Sequence, residues 1–500
     1  MGHAQVLRGM DAMDFEPSSI IFPAGHFIGG RIVSGGASLD VLRPSDGGLM
    51  GAIPEADEEL VDRAVTNAHQ SWLASGWGTR SPRERARVLL RWADLLDENV
   101  EELAKLEAVG STRPVRDAHA FDLPFTSECI RFFAECADKF GGDAVPTKSD
   151  SLGLVLSEPY GVVGAIAPWN FPLSMASWKC GPALAAGNAI VLKPSELTPF
   201  SVLRFAELAV EAGLPPGIFN IVQGRGSEAG AALVRHPLIR KISFTGSTLT
   251  GAAIMSESAH HGTKPVTLEL GGKSPQLVYA DAGDISAVAG RIVRGFTSNA
   301  GQACVSGTRL IVQRAVADQL VDEIVKQVSN FKPGATWRDA TTFAPLINEK
   351  QASKVHSSVS KTIAEGATAI CGGDFFETDV GGHFYKPTLL AGVTSSMEAV
   401  REEIFGPVLT VQIFDEEEEG LSLADHPTYG LAAGVHTQDI GRALRATRRI
   451  QAGTVWINRF GRTWDFILPT GGFKGSGLGK DLGRQAFEAN LRYKSVLVDF

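Results

Sequence analysis

One cysteine in this sequence lies where a thiol could be reactive. Cys304 follows a helical pattern that ends near Asn299 and precedes a strand pattern that starts near Leu310. Its neighbours are small: Ala300, Gly301, Ala303, Ser306 and Gly307. A substrate can closely approach a thiol in a loop of small residues, whereas a structural cysteine more often lies among large apolar side chains. The loop therefore favours a reactive thiol, and an inert, packed thiol is the alternative.

Two other polar side chains fall at the ends of predicted strands. Asn170 lies between Pro168 and Pro172, which make the segment too rigid to continue a helix or a sheet. A rigid loop can present an amide to a developing oxyanion, although such an amide could instead bond its own backbone. Glu269 leaves a strand pattern and is followed by two glycines, which let backbone approach another group closely. Its carboxyl could be a general base, or it could face solvent at a domain crossover.

Further strand ends suit a nucleotide. Lys193 and Glu196 follow one strand, where a carboxylate could accept from ribose hydroxyls and would repel a 2′-phosphate. A surface ion pair is the alternative for these two residues. Gly246 and Ser247 join a strand to a helix whose N-terminal N–H groups and dipole could hold a pyrophosphate. The stretch 224–230 has one residue too many for the dinucleotide fingerprint, and we interpret it as a helix start near the cofactor.

The elements that must position these groups alternate between strand and helix. From residue 161 onward, apolar strands are followed by helices, as in the strand at 189–193 and the helix at 199–213. This alternation predicts doubly wound, mostly parallel sheets, which bind ligands at the carboxyl ends of their strands. A second series starts near 271–272, so we expect two α/β domains with a cleft between them. The C-terminal stretch alternates like a strand, and we expect it to pair with 152–158.

Length and charge narrow the class of protein. A chain of 500 residues exceeds one hydrophobic core and predicts two or three domains. The net charge of -9 argues against nucleic-acid binding, and no apolar run reaches the roughly 18 residues that span a membrane. The N-terminus lacks the apolar stretch of a signal peptide, which favours a cytoplasmic location. Five widely spaced cysteines fit neither a disulfide framework nor a zinc site, so we expect no metal. We interpret the acidic run 415–419 as a solvated loop.

The chain resembles the NAD(P)-dependent aldehyde dehydrogenase superfamily. The similar motifs, in order, are PWNFP, KPSE, FTGS, LELGGKSP, GQACVSGTR, EEIFGPV and PTGGFKGSGLGKDLG. The resemblance implies an α/β fold of two doubly wound parallel-sheet domains plus a small β oligomerisation element. It implies an NAD-binding domain from 1–139 and 159–270, a catalytic domain from 271–484, and an oligomerisation element from 140–158 and 485–500. It also implies a homodimer or homotetramer.

The resemblance assigns chemistry to a few residues. Cys304 looks like the nucleophile that attacks an aldehyde carbon, and Asn170 with the Cys304 N–H looks like the oxyanion hole. Glu269 looks like the base that activates water to hydrolyse the thioester. Members that pass the acyl group to coenzyme A generally lack this glutamate, so its presence implies a free carboxylic acid product. Lys179 and Asp481 match a pair that helps Glu269 to move its proton, although the family more often has Glu at the second position.

The other positions implied by the resemblance form two sets. The cofactor set, which implies NAD rather than NADP, is Ala167, Trp169, Lys193, Glu196, Gly226, Phe244, Gly246, Ser247, Leu270, Glu403 and Phe405. The substrate set, which is largely apolar, is Phe171, Ser174, Met175, Trp178, Phe296, Ala303 and Val305. Arg459 or Arg462 could pair with an acidic tail, as in a semialdehyde dehydrogenase, or could serve only the fold.

Three functions stay open on the sequence. The first is NAD-dependent oxidation of a small-molecule aldehyde by a self-associating enzyme with no nucleic-acid or membrane partner. The second is a cofactor-independent cysteine esterase or thioesterase on the same scaffold, in which the nucleotide-binding residues would have no purpose. The third is a non-catalytic structural protein, against which the intact Cys304, Glu269 and Asn170 argue.

Overall fold

The computed structural model describes residues 13–461 and 464–500. Its strands, in chain order, are β1 His26–Ile28, β2 Arg31–Val33, β3 Ala37–Leu42, β4 Leu49–Glu55, β5 Asp143–Val145, β6 Ser151–Pro159, β7 Val162–Ile166, β8 Ala189–Lys193, β9 Phe219–Ile221, β10 Ile239–Thr245, β11 Val266–Glu269, β12 Pro275–Val278, β13 Arg309–Gln313, β14 Thr368–Cys371, β15 Thr388–Ala391, β16 Val408–Phe414, β17 Tyr429–Gly430, β18 Ala432–His436, β19 Thr454–Ile457, β20 Phe473–Lys474, β21 Gly477–Leu478 and β22 Leu491–Asp499.

Helices connect most of these strands. They are α1 Glu58–Ser75, α2 Pro82–Glu98, α3 Val100–Gly110, α4 Val115–Asp117, α5 Leu123–Cys136, α6 Pro172–Ala185, α7 Phe200–Glu211, α8 Ala231–Arg235, α9 Thr248–His260, α10 Ile285–Thr297, α11 Arg314–Val328, α12 Glu349–Ala364, α13 Glu398–Arg401, α14 Glu417–Ala424, α15 Ile440–Arg449 and α16 Gly483–Glu488. Short 3₁₀ turns occupy Pro17–Ser19 and Ser298–Gly301, and π turns occupy Ala118–Asp122 and Gly226–Gly230. Within the described ranges, no helix has the length and apolar character needed to cross a bilayer.

The first sheet has the order β2-β1-β9-β8-β7-β10-β11-β21. Strands β7 to β11 are parallel, and the chain proceeds from β7 outward through β8 and β9 before it returns to β10 on the other side. This reversal creates a topological switch point between β7 and β10, and ligands bind outside the carboxyl ends of the strands at such points. All five residues of β7 and of β8 are buried, as expected for parallel strands covered by helices on both faces.

The second sheet has the order β14-β15-β16-β13-β12-β18-β19 and is parallel except for the edge strand β14. The two doubly wound sheets expected from the sequence are therefore confirmed. The glycine-rich stretch near the C-terminus returns to the first sheet, where β21 pairs antiparallel with β11. Cys304 precedes β13, Gly272 precedes β12 and Glu403 precedes β16, so all three lie at the amino ends of strands in the second sheet.

A third sheet is built from β22, β6 and β5 in that order. The register runs from Leu491 opposite Pro159 to Asp499 opposite Ser151, which confirms the predicted pairing of the C-terminal strand. Strand β22 is an edge strand and has large exposed apolar residues, among them Leu497 at 65% exposure.

The acidic run at 415–419 is solvated as we expected, since four of its five residues are exposed, but it is a loop only up to Glu416. Asp415 forms an ion pair with Arg314 at 2.6 Å. Glu417 begins α14 and binds Arg445 at 2.8 Å. Carboxylates near the first turn of a helix interact favourably with its dipole, so part of the run is a helix start fixed by ion pairs.

Candidate active site

The loop that contains Cys304 opens with a left-handed turn. After α10 ends at Thr297, Asn299 and Ala300 have φ values of 52° and 51°, and Gly301 has a φ of 74°. Left-handed backbone costs a residue with a side chain about 1–3 kcal/mol, so surrounding contacts must hold Asn299 and Ala300 in place. Cys304 itself is half-buried in front of β13.

Buried Gln302 supplies such contacts through its side chain. Its Nε2 donates to the carbonyl oxygens of Asn299 and Pro345, both at 3.0 Å. Its Oε1 accepts from the N–H of Ile347 at 2.9 Å. The amide thus fixes the left-handed turn on one side and the 345–347 segment on the other. The backbone that leads into Cys304, two residues later, is therefore held rigidly.

Glycine lets other backbone segments contact this loop closely. A Cβ atom at Gly301 would lie 2.2 Å from the carbonyl oxygen of Gly406, and one at Gly272 would lie 2.5 Å from that of Cys304. Neither position can accept a side chain unless backbone moves. The entries to β12, β13 and β16 therefore meet at Cys304.

Asn170 is joined to the Cys304 loop by its side chain and its backbone. Its Nδ2 donates to the carbonyl oxygen of Gln302 at 2.9 Å, and its own carbonyl oxygen accepts from Nδ2 of Asn299 at 2.9 Å. Thr112 Oγ1 donates in turn to Oδ1 of Asn299 at 2.7 Å. The alternative in which Asn170 bonds its own backbone is therefore wrong. Because an amide nitrogen has two hydrogens, one is left to donate to a ligand near Cys304.

Glu269 is buried at the end of β11 and does not face solvent as the alternative supposed. Its carbonyl oxygen accepts from the N–H of Gly246 at 3.0 Å. Its carboxylate lies against the glycine-rich loop at 469–483, since a Cβ at Gly471 would be 2.6 Å from Oε1. Burial lowers the pKa of Lys480, and the nearby Glu269 charge opposes this shift. The carboxylate therefore lies where the first sheet meets the loop containing β21.

Lys179 and Asp481 form the buried pair that the resemblance implied. Their Nζ and Oδ2 atoms are 2.5 Å apart, and their side chains are 0% and 4% exposed. Removing one partner of a buried ion pair strongly destabilises the protein, because the other charge is left uncompensated. Asp481 is held by two backbone hydrogen bonds to Thr470, at 2.6 and 2.8 Å. Lys179 comes from α6, so the pair ties this helix to the glycine-rich loop.

The expected cofactor residues of the first sheet gather at its switch point. Lys193 ends β8, and its Nζ lies 2.8 Å from Oε2 of the half-exposed Glu196. The Ala167 N–H, after β7, donates to the carbonyl oxygen of Lys193 at 3.0 Å. After β10, Ser247 caps α9 by accepting from the Thr250 N–H at 3.2 Å. A carboxylate acceptor and a helix N-terminus on neighbouring strand ends fit a dinucleotide.

Glycines also determine the course of the backbone near the switch point of the first sheet. A Cβ at Gly246 would lie 2.4 Å from the ring of buried Phe244, so the chain can turn there only without a side chain. Gly226 opens a π turn, and a Cβ there would meet nothing within 4 Å, which leaves open space beside the switch point. The Leu270 N–H is taken by the carbonyl oxygen of Ser476 at 3.0 Å, so this residue serves backbone structure.

Residues from the second sheet complete the cleft. The Gly272 N–H donates to Oε1 of Glu403 at 3.0 Å, and burial raises the pKa of this carboxyl to about 7. Phe405 has a φ of 59°, and its carbonyl oxygen accepts from Gln351 Nε2 at 2.8 Å. The ring of Phe405 meets that of Trp169 edge-on at 5.3 Å. The predicted cofactor residues of the two sheets therefore touch each other.

Most of the expected substrate residues lie beside Asn170 and Cys304. Ser174, Met175 and Trp178 are buried on α6, which begins two residues after Asn170. Phe171 lies under the Arg113 guanidinium at 4.8 Å. Ala303 and Val305 flank Cys304 and are half-buried.

Phe296, which we expected among the substrate residues, is an exception. Its side chain is 0% exposed and packs in the core of the second sheet with Ile292 and Leu310. The amphipathic helix α10 places Val288, Ile292 and Phe296 four residues apart on one face, which turns inward. Ser298, two residues on, is exposed at the loop instead.

One aromatic cluster was not predicted from the sequence. We call it the aromatic wall, and it consists of Phe121, Phe125, Trp178, Trp464 and Phe466. Phe125 is central, with ring centroids 5.6 Å from Phe121, 6.3 Å from Trp178, 6.0 Å from Trp464 and 4.6 Å from Phe466. The spacing of Phe121 and Phe125 by four residues was the available signal, because such residues share a helix face. A π turn over Ala118–Asp122 presents the first of them, and turns of this kind are frequent at functional sites.

Only one of the two arginines considered for an acidic tail lies within the described residues. Arg459 is exposed at the end of the stretch that follows β19. Arg462 lies outside the described residues.

Comparisons with known proteins agree with this geometry. The profile of the Aldehyde dehydrogenase family matches residues 32–496. The NADP/NAD-dependent aldehyde dehydrogenase PuuC of Escherichia coli is 41% identical over 438 residues, which is 88% of each chain. The NAD+ complex of an aldehyde dehydrogenase from Bacillus cereus superposes with a TM-score of 0.94 at 41% identity, covering 98% of this chain and 100% of that one. The P. syringae indole-3-acetaldehyde dehydrogenase AldA, in complex with NAD+ and IAA, gives a TM-score of 0.94 at 37% identity over 97% and 98% of the chains.

Proposed function

The chain belongs to the aldehyde dehydrogenase family and oxidises an aldehyde with NAD, and we propose that Cys304, Asn170 and Glu269 perform this reaction. One observation carries the assignment. The Asn170 amide is fixed on the carbonyl oxygen of Gln302, two residues before the thiol, with one amide hydrogen to spare. A cysteine esterase needs the same donor, but it has no use for the nucleotide-binding face beside it.

In the first half-reaction, the Cys304 thiolate adds to the aldehyde carbon and the carbonyl oxygen becomes an oxyanion. The remaining amide hydrogen of Asn170 and the backbone N–H of Cys304 donate to that oxygen. Removing one such donor from an oxyanion hole costs about 2.7–4 kcal/mol of transition-state stabilisation. The rigid turn before Cys304 holds both donors in position before the charge develops.

The cofactor-binding residues are proposed with their roles. Bound NAD supplies a nicotinamide ring that accepts the hydride leaving the aldehyde carbon. Lys193 and Glu196 bind the adenosine ribose, and the start of α9 at Ser247 binds the pyrophosphate. Glu403 binds the nicotinamide ribose and Phe405 packs beside it. Because the Glu196 carboxylate would repel a 2′-phosphate, we propose NAD over NADP, although the E. coli relative is named for both.

The second half-reaction releases a carboxylic acid. Glu269 accepts a proton from a water that attacks the thioester carbonyl, and the Cys304 thiolate leaves. A buried carboxylate is suited to this work because water exclusion raises the energy of its charged form. Lys179 and Asp481 act behind it, where they hold α6 against the glycine-rich loop on which the Glu269 carboxylate lies.

We propose that the substrate carries an aromatic or similarly flat apolar tail. Helix α6 begins two residues after Asn170, and a rise of about 1.5 Å per residue puts Trp178 roughly 10 Å along it. Trp178, and with it the aromatic wall, therefore lies within two turns of the end of the helix that begins beside Asn170. Edge and offset contacts between aromatic rings contribute about 0.5–1.5 kcal/mol each beyond area burial. The P. syringae enzyme at 37% identity is named for an indole aldehyde, which supports the same class.

Self-association and domain limits complete the proposal. The third sheet ends in β22, an edge strand with exposed Tyr493, Leu497 and Phe500, and such an edge is suited to pairing with another copy. We therefore keep 140–158 and 485–500 as the oligomerisation element of a homodimer or homotetramer. Residues 1–139 with 159–270 and residues 271–484 stay the two α/β domains.

A cytoplasmic location is supported by the buried thiols Cys129 and Cys180, which a reducing compartment preserves.

One experiment tests both half-reactions. A panel of aliphatic, aromatic and acidic aldehydes is assayed with NAD and with NADP, for the wild type and for Glu269→Gln. We expect the variant to form NADH once per active site and then to stall as an acyl-enzyme, which mass spectrometry detects on the peptide containing Cys304. Ester hydrolysis that is indifferent to NAD, with no oxidation of any aldehyde, would establish the esterase instead.

A further inference from the structure

Behind the loop that contacts Cys304 lies a small cavity rich in positive charge. The space in which the centre of a water-sized occupant can lie is about 10 Å³, so the cavity admits one small occupant. Lys273, Arg309 and His426 supply its basic groups. Lys273 directly follows Gly272, whose backbone packs on the carbonyl oxygen of Cys304. The cavity is thus next to the active site but on the far side of the polypeptide that forms it.

Lys273 has a hydrogen-bonding group without a partner there. The residue is 2% exposed, and its Nζ makes no hydrogen bond to any residue that the structure describes. An ammonium has three donors, and a buried donor without an acceptor costs about 1–3 kcal/mol, more when it is charged. Burial lowers the pKa of Lys273 to about 7, with the nearby Arg309 charge acting in the same direction.

His426 contributes a second donor. Its Nδ1 accepts from the N–H groups of Thr428 and Tyr429 at 3.1 and 3.0 Å. In the neutral ring the hydrogen must therefore be on Nε2. The residue is buried, and its Nε2–H faces the Val400 carbonyl without a hydrogen bond of normal geometry. Lys273 Nζ is therefore the donor on this cavity that lacks an acceptor most clearly.

Carboxylates do not neutralise the charge of this cavity by contact. The Arg309 guanidinium donates only to carbonyl oxygens, those of Lys273 at 2.9 Å, Leu423 at 2.7 Å and Ala424 at 3.0 Å. The one carboxylate in the lining, Asp425, is bound to Nζ of Lys474 at 2.7 Å. A buried positive charge without a bonded counter-ion is destabilising unless another anion balances it.

We propose that the cavity binds a small monovalent anion of the halide class at Lys273 Nζ, beside His426 and in the field of Arg309. The bound anion holds Lys273 in its charged form. It thereby fixes the peptide at Gly272, which contacts Cys304 and donates to Glu403. Anion occupancy therefore stabilises the fold near the active site without touching substrate or cofactor.

The charges that face Lys273 set the direction of the pH dependence. Arg309 and Lys354 disfavour its charged form, and Glu402 and Glu403 favour it. His426 is held neutral, since burial lowers its pKa to about 4, with the Arg309, Lys273 and Lys474 charges acting in the same direction and the Val400 carbonyl opposing it. The anion binds the protonated lysine, so it binds more tightly below pH 7 than above it.

The test is the melting temperature of the intact enzyme in sodium chloride and in sodium gluconate at equal ionic strength, at about pH 6 and about pH 9. We expect a saturable rise in chloride only, larger at the lower pH, and no chloride-specific rise in Lys273→Met. Lys241→Met is the matched control. Lys241 is also buried with a pKa lowered to about 8, but its Nζ donates to Thr267 Oγ1 at 2.6 Å, so this variant should keep the chloride effect.

A second measurement does not depend on the variants. Crystals of the wild-type enzyme in sodium bromide should show an anomalous peak within hydrogen-bond distance of Lys273 Nζ. The proposal is overturned if chloride and gluconate give equal melting temperatures, if Lys273→Met folds and keeps the full chloride effect, or if the cavity holds only water in bromide.

Discussion

The side-chain amide of Asn170 donates to the backbone carbonyl of Gln302 at 2.9 Å across 132 residues of sequence. Asn170 follows β7 of the first sheet, and Gln302 precedes β13 of the second. This one bond therefore sets the carboxyl end of one sheet against the amino end of the other. It also leaves one hydrogen of that amide free to donate to another group.

Replacing Asn170 by Ala should reduce kcat by about 10²–10³-fold, because the oxyanion loses one of its two donors. NAD affinity should change little, since Asn170 is not among the nucleotide contacts. Steady-state kinetics and NAD titration measure both quantities. Asn330→Ala is the control, because that amide donates only to Lys326 on an exposed helix end. An unchanged kcat in Asn170→Ala would remove the residue from the oxyanion hole.

Thr112→Val should destabilise the protein by about 1–3 kcal/mol, because it leaves the buried Oδ1 of Asn299 without its donor at 2.7 Å. The left-handed turn then loses one of the contacts that hold it. Because Asn299 still donates to Asn170, kcat should fall less than in Asn170→Ala. Urea unfolding midpoints and kcat are compared for the two variants. A fully stable Thr112→Val with wild-type kcat would show that this hydroxyl does not support the turn.

Glu403→Gln should stabilise the protein in alkaline solution and much less in acid. Burial raises the pKa of Glu403 from 4.5 to about 7, so its favourable contribution is complete below pH 4.5 and is lost as pH rises through 7. Above that pH the wild type keeps a half-buried charge whose pKa shift corresponds to at most about 3 kcal/mol, which glutamine avoids.

Unfolding midpoints at about pH 5 and about pH 8.5 test this expectation, with the exposed neighbour Glu402→Gln as control. The KM for NAD should rise in Glu403→Gln if the carboxylate binds the nicotinamide ribose. Equal stability differences at the two pH values would mean that Glu403 is not held in a desolvated state.

Trp464→Leu and Phe125→Leu should each lower kcat/KM for phenylacetaldehyde by about 5–10-fold, since an aromatic contact of about 0.5–1.5 kcal/mol and some burial are lost. Acetaldehyde, which is too short to reach the aromatic wall, should be oxidised as before. Trp456→Leu is a matched control because its ring packs on Phe460 at 4.9 Å and not on the wall. Equal losses for both aldehydes would contradict an aromatic tail site, while leaving aldehyde oxidation itself intact.

Local signals in the sequence predicted much of the fold. Strand β8 has the bounds 189–193 that its apolar run indicated. Cys304, Asn170 and Glu269 stand at element ends, where changes of pattern are easiest to see. The glycines around them mark close backbone contacts that the structure contains.

Contacts between distant segments could not be predicted. The Thr112–Asn299 hydrogen bond joins residues 187 positions apart, and the local sequence around one residue does not predict its contact with the other. The aromatic wall is assembled from separate segments, and only its Phe121–Phe125 spacing was visible locally. We placed Phe296 in the substrate set because of its position in a motif. The helical repeat of α10 instead turns its ring into the core of the second sheet.

The central claim is that the Cys304 thiol forms the covalent bond through which aldehyde is oxidised. The direct measurement is NADH formation from aldehyde and NAD by the wild type and by Cys304→Ala, at matched concentrations of folded, NAD-binding protein. We expect NADH in step with carboxylic acid for the wild type and no rate above background for the variant. Oxidation by Cys304→Ala at a rate near that of the wild type would contradict it.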